Sequence, residues 1–132
     1  MNQLEPAKRP LILVVDDDAR SARLLGRLLR ADGYDSNVVT DGAAALARLT
    51  RPPVPDVLIT DFHLAHADGL AVSRYARSQR AAMPIFVITG DPRSVLRAAD
   101  PLDEPIVVLT KPIDYAELVT RLRAALPIDA VR

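Results

Sequence analysis

Short apolar runs and longer segments with helical spacing alternate along this chain from residue 10 to residue 126. The runs fall at residues 11–15, 38–39, 57–60, 85–89 and 106–109. They are rich in valine and isoleucine and lie next to turn residues, as buried strands do. Between the first two, Leu24, Leu25, Leu28 and Leu29 repeat at helical intervals and the pattern stops at Gly33. Further helical stretches cover residues 43–49, residues 70–78 and a short piece near 94–99. The last carries Leu118, Leu122 and Leu126 on one face. Five strands alternating with five helices predict an α/β fold, with a parallel sheet covered on both faces. Open sheets of this kind bind ligands at the carboxyl ends of their strands. The polar residues that end the strands therefore become the candidate site.

Composition narrows the classes. The 132 residues make one domain, 49% hydrophobic and 26% charged, which is the balance of a soluble globular protein. Basic and acidic residues number 17 each with no basic block, so direct contact with nucleic acid is not expected. There is no cysteine, which excludes disulfides, thiol catalysis and cysteine-ligated metals. The two histidines, His63 and His66, are too few for a histidine-rich metal site. No apolar run approaches the roughly 18 residues of a membrane span. The N-terminus MNQLEPAKRP lacks the apolar centre of a signal peptide. The expectation is a cytoplasmic protein without a membrane partner. Residues 1–9 read as a polar leader, 10–126 as the domain, and 127–132 as a tail.

The strand ends carry a consistent chemistry. The first run ends in Asp16 and Asp17, the third in Asp61, the fourth in Thr89 and the fifth in Lys111 followed by Pro112. Taken singly, each has a structural explanation: an acid can cap a helix, a lysine can be solvated, and a threonine suits a strand. Together they place three carboxylates, a hydroxyl and an ammonium on one rim. Clustered carboxylates repel until a divalent cation joins them, and all-oxygen ligation suits Mg²⁺ (or Mn²⁺). Asp61 can then act as nucleophile and form an acyl phosphate, with Lys111 and Thr89 on phosphoryl oxygens. Asp18 is assigned to capping the next helix, and Asp56, at the other end of its strand, to no part in the site.

The segments "ILVVDDD" (12–18), "DVLITDFHLAHADGL" (56–70), "IFVITG" (85–90) and "LTKP" (109–112) occur in order, and in this combination the chain resembles the receiver domain of two-component response regulators. The resemblance covers about residues 10–126. It implies a flavodoxin-like (βα)5 three-layer sandwich with sheet order 2-1-3-4-5, an order the general rule already illustrates with the chemotaxis member of this family. It implies a phosphoacceptor at Asp61, with Thr89 and Lys111 holding the phosphoryl group and a cis Lys111–Pro112 bond. The metal would be held by Asp17 directly, by Asp16 mainly through water, by Asp61, and by the backbone carbonyl of His63. The donor would be a histidine kinase or histidine phosphotransferase. It would dock on the helix after Asp18, where Ala22 and Leu25 are the expected contacts. The chain would be a signalling phosphoprotein rather than an enzyme, beyond promoting its own phosphorylation and dephosphorylation. Its oligomeric state stays open, a phosphorylation-dependent dimer included.

Three positions depart from the family pattern. The common Met-Pro after the acceptor is Leu64-Ala65, the aromatic residue three positions before the lysine is Val108, and the small pair before the last strand is replaced by "LDEP". With no ring at 108, the response to phosphorylation is expected in residues 90–105. Two other readings compete. A small phosphatase with an aspartyl nucleophile would want a second carboxylate where His63 stands, and a degenerate receiver acting only as a binding module would not need the full acidic and basic set. The length after residue 126 leaves no room for an output domain, so the expectation is a stand-alone receiver or one cut from a larger protein such as a hybrid kinase.

Overall fold

The computed structural model describes residues 9–126. Five β-α units follow one another: β1 (Leu11–Val15), α1 (Ala19–Ala31), β2 (Asp35–Val39), α2 (Gly42–Leu49), β3 (Val57–Asp61), α3 (Gly69–Gln79), β4 (Ile85–Thr89), α4 (Pro92–Ala98), β5 (Val107–Thr110) and α5 (Tyr115–Ala125). All strand pairs are parallel and the sheet order is β2-β1-β3-β4-β5. The flavodoxin-like expectation is met. Residues 1–8 of the expected leader and the expected tail 127–132 lie outside the described residues.

The side-chain alternation of a strand divides the core into two layers. Ile12 and Val14 of β1, Ile59 of β3, and Phe86 and Ile88 of β4 pack with Leu25 and Leu29 of α1 and Leu118 and Leu122 of α5. Leu13, Val15, Leu58, Ile85 and Val87 point the other way, against Leu49 of α2, Leu70 and Val72 of α3, and Val95 of α4. Strands buried on both faces read as unbroken apolar runs, which is why β1 and β4 were legible to the residue. β2 is longer than its apolar pair suggested, because its first half, Asp35-Ser36-Asn37, lies on the sheet edge and is held by polar contacts. The Ser36 hydroxyl donates to the Gly26 carbonyl at 3.1 Å.

The aspartates that cap the helices aim the chain at the strand ends. Asp18 accepts from the backbone N–H groups of Arg20 and Ser21, as expected for a cap. Asp41 and Asp68 cap α2 and α3 in the same way. Asp56 accepts from the Leu11 N–H at 2.8 Å, fixing the opposite end of the sheet.

The segment between α4 and β5 differs most from expectation. α4 anchors through Val95 alone, because Leu96, its other large apolar residue, is 67% exposed. Beyond it a short 3-10 turn, Pro101–Asp103, buries the Asp103 side chain to 2% exposure. Arg74 of α3 donates to both Asp103 oxygens, at 2.7 and 2.8 Å, and Arg77 donates to the carbonyls of Asp103 and Pro105. The "LDEP" sequence is thus a tether to α3.

The Arg74 guanidinium and the Asp100 N–H hold the Asp103 carboxyl below its ordinary range, against the opposing effect of burial. A depressed acid stabilises the fold above its unfolded pKa and loses that contribution as pH falls through the folded one. Because Arg74 is half exposed, Asp103→Ala should cost about 1–2 kcal/mol at neutral pH. Denaturant melts of both proteins should show the gap closing below about pH 4. A pH-independent gap would mean that packing, not charge, fixes the turn.

Candidate functional site

Four strands deliver one residue or more each to the carboxyl edge of the sheet. At the end of β1, the Asp16 N–H donates to the Val39 carbonyl and Asp16 Oδ1 accepts from the Asp18 N–H at 2.9 Å. Asp61 is the last residue of β3 and is 3% exposed. Thr89 closes β4, buried, with its hydroxyl oxygen accepting from the Asp91 N–H at 3.0 Å, which leaves its proton free to donate elsewhere. Lys111 follows β5, its N–H bonded to the Thr89 carbonyl at 2.9 Å and its bond to Pro112 cis.

These placements bring the charged groups together. Lys111 Nζ lies 3.0 Å from Asp61 Oδ1. Asp16, Asp17 and Asp61 each offer a carboxylate oxygen within 4.8 Å of the others. The second Asp61 oxygen, Oδ2, is buried with no hydrogen-bond partner among the described residues. An orphaned buried oxygen facing other carboxylates is costly. It is also the donor set that a hard divalent cation satisfies. The residues therefore fit Mg²⁺. His63 stands two positions beyond Asp61 with its side chain exposed and its ring edge-on to Phe62, centroids 4.7 Å apart.

Electrostatics follow from this crowding. Burial, then the neighbouring Asp16 carboxyl, push Asp61 up to about 7 against the pull of Lys111. Burial works against the Lys111 charge too, but the Asp61 carboxylate outweighs it and raises the lysine.

Sequence reasoning missed the glycine that seats the acceptor. A Cβ on Gly69 would run into the Asp61 carbonyl oxygen and the Phe62 Cα, and the Gly69 N–H donates to the Phe62 carbonyl at 2.8 Å. Only a bare Cα lets α3 start this close to the strand end. The "DGL" after the acceptor loop was its one trace in the sequence. The expected docking contacts also need correction. Ala22 is fully buried against the sheet, and the apolar residues that α1 exposes most are Leu24 and Leu28. They and the edge of Leu25, which is 8% exposed, line an open groove of about 590 Å³ with Pro112, Ile113 and Tyr115, bordered by Asp16 and Lys111.

Comparison with known proteins gives the family and the fold. The model of the response regulator receiver domain matches residues 12–123. The DNA-binding response regulator MtrA of Mycolicibacterium paratuberculosis is 37% identical over 121 residues, 89% of this chain and 52% of the relative. The sensory transduction protein RegX3 of Mycobacterium bovis is 32% identical over 115 residues, 87% of this chain and 50% of the relative. A response regulator receiver protein from Sinorhizobium medicae superposes with a TM-score of 0.82 at 26% identity, over 94% of this chain and 99% of that one. The chain spans about half the length of the curated relatives it matches. The exclusion of nucleic acid is overturned by MtrA, which is named as a DNA-binding regulator. The charge balance of this chain says nothing about the part of MtrA that lies outside the match. Among the described residues, no helix is long and apolar enough to cross a membrane.

The raised Asp61 generates a pH prediction for the metal-free protein. Between the unfolded value near 4 and the folded value near 7, the folded state holds a proton that the unfolded chain has released. Stability in EDTA should therefore fall as pH rises through that window. Asp61→Asn should remove most of this slope and melt higher than the parent at pH 8. Identical pH profiles for the two proteins would show that the carboxylate is not under strain.

Proposed function

The chain belongs to the response regulator receiver domains of two-component signalling, and from that premise we propose that it accepts a phosphoryl group from a phosphohistidine onto Asp61. The observation that carries the reading is a buried carboxylate with one oxygen on Lys111 and the other unpartnered beside two further acids. In the transfer, an Asp61 oxygen bonds to phosphorus and the phosphorus–nitrogen bond of the donor breaks. The imidazole nitrogen leaves with that electron pair. Lys111, 43% exposed at its side chain, can follow the charge from Asp61 to a phosphoryl oxygen. The Thr89 hydroxyl donates to another. Asp16, Asp17, Asp61 and the His63 carbonyl would hold Mg²⁺, which when bound offsets the repulsion between the carboxylates and the incoming anion. Positioning and charge neutralisation suffice, as in other phosphoryl transfers.

The donor is a histidine kinase or histidine phosphotransferase, and the reaction is cytoplasmic. Its apolar contacts fall on Leu24, Leu25, Leu28 and Ile113 in the groove beside Lys111, and not on Ala22.

Two outcomes test the reading. Acetyl phosphate with Mg²⁺ should add one base-labile phosphoryl group, seen as a mass increase, that Asp61→Asn and EDTA each abolish. Labelling of Asp61→Asn at the parental level would place the nucleophile elsewhere. The second outcome concerns the response. α4 has one buried anchor, whereas the following turn is tethered to α3 by Arg74 and Arg77. Segments with few buried contacts open most readily. Beryllofluoride should therefore change hydrogen exchange in residues 90–99 and leave 100–105 unchanged, narrower than the expected 90–105. Equal changes in both segments would show that the tether does not divide them.

A further inference from the structure

The exposed surface of α1 carries two separate stripes. Leu24 and Leu28 face the groove beside Lys111, whereas Arg20, Arg23, Arg27 and Arg30 recur at intervals of three and four on the side nearer β2. That side is identified by Gly26, whose missing side chain would meet Val38 and Ser36. At the lower end of the stripe the Arg30 guanidinium donates to the Ser36 carbonyl at 3.0 Å. From the opposite layer, Arg48 of α2 reaches the same strand and donates to Asn37 Oδ1 at 2.8 Å, and to the carbonyls of Arg51 and Pro53. The free edge of β2 therefore lies in a groove of about 560 Å³ between guanidiniums from both faces of the sheet.

Two features of this groove call for an occupant. Among the described residues, Arg30, Arg48 and Arg51 have no carboxylate within 4.0 Å, although Arg48 is 7% exposed. Its bonds are all to neutral oxygens, and a buried charge is ordinarily paired. In addition, β2 has a strand neighbour on one side only among the described residues. Val39 and Asp35 turn their ladder groups to β1, so the alternate positions point outward. The carbonyl of the buried Ser36 is taken by Arg30 and Asn37, which leaves the Val38 groups for pairing.

We propose that this edge is a docking site for an extended acidic segment of a partner protein, laid beside β2 with its carboxylates on the exposed Arg30 and Arg51 and within the field of the buried Arg48. Main-chain pairing supplies a place for the segment and the guanidiniums supply the preference for acid. A nucleic-acid strand is the weaker fit. The groove has no aromatic side chain on which a base could stack, and its floor offers backbone donors and acceptors together. A second copy of this chain would set arginines against arginines.

The site lies on another face of α1 from the leucine groove and uses none of the strand-end acids, so it is tested on the unmodified protein. The probe is a fluorescein-labelled octapeptide of alternating glutamate and valine, followed by anisotropy at about 20 mM salt, where screening is weak. It should bind, and the Arg30→Glu/Arg51→Glu variant should bind at least about tenfold more weakly. Arg93→Glu, on α4, should bind as the parent does. With the parent protein, a probe N-methylated at alternate amides should also lose about tenfold, since it cannot complete the strand pairing. Absence of binding overturns the proposal. So does equal binding of the N-methylated probe, or tighter binding of an oligothymidylate of the same charge.

Discussion

A carboxylate placed at the end of a strand that is buried on both faces is the constraint from which the rest of this rim follows. Asp61 inherits its burial from β3, which lies between β1 and β4 with apolar side chains above and below. Desolvation disfavours its charge and Asp16 adds to the penalty, while only Lys111 opposes them. Lys111 in turn can reach Asp61 because its own backbone is bonded to the end of β4. Proximity that would be expensive in a purely structural site becomes useful when cations and a phosphoryl group are to be bound.

The same edge explains the loops. Gly69 lets α3 begin against the Asp61 carbonyl, and Gly42 does the same for α2 against Ala67. The acceptor loop is therefore clasped between two helix starts, each capped by an aspartate.

On the far side of the site, order is distributed unevenly. α4 is short, held by Val95, and opens on Asp91 without a side-chain cap. The next few residues are fixed by a bidentate ion pair and two further arginine contacts. With Val108 in place of a ring, the chain has no large side chain to turn between two positions at this point.

The sequence by itself determined the architecture and the site residues' positions on strand ends, because burial on both faces demands unbroken apolar runs and because chain order in a parallel fold returns every strand end to one edge. That rule alone puts Asp16, Asp17, Asp61, Thr89 and Lys111 on one rim. Tertiary structure alone decided which leucines of α1 are exposed, since Leu24, Leu25, Leu28 and Leu29 are alike in sequence and differ only by rotation about the helix. It alone paired Arg74 with Asp103, 29 residues apart, and brought Arg30 and Arg48 to opposite sides of β2. Polar contacts of this kind leave no periodicity in the chain. They depend on distances between elements, which packing sets and local pattern does not encode.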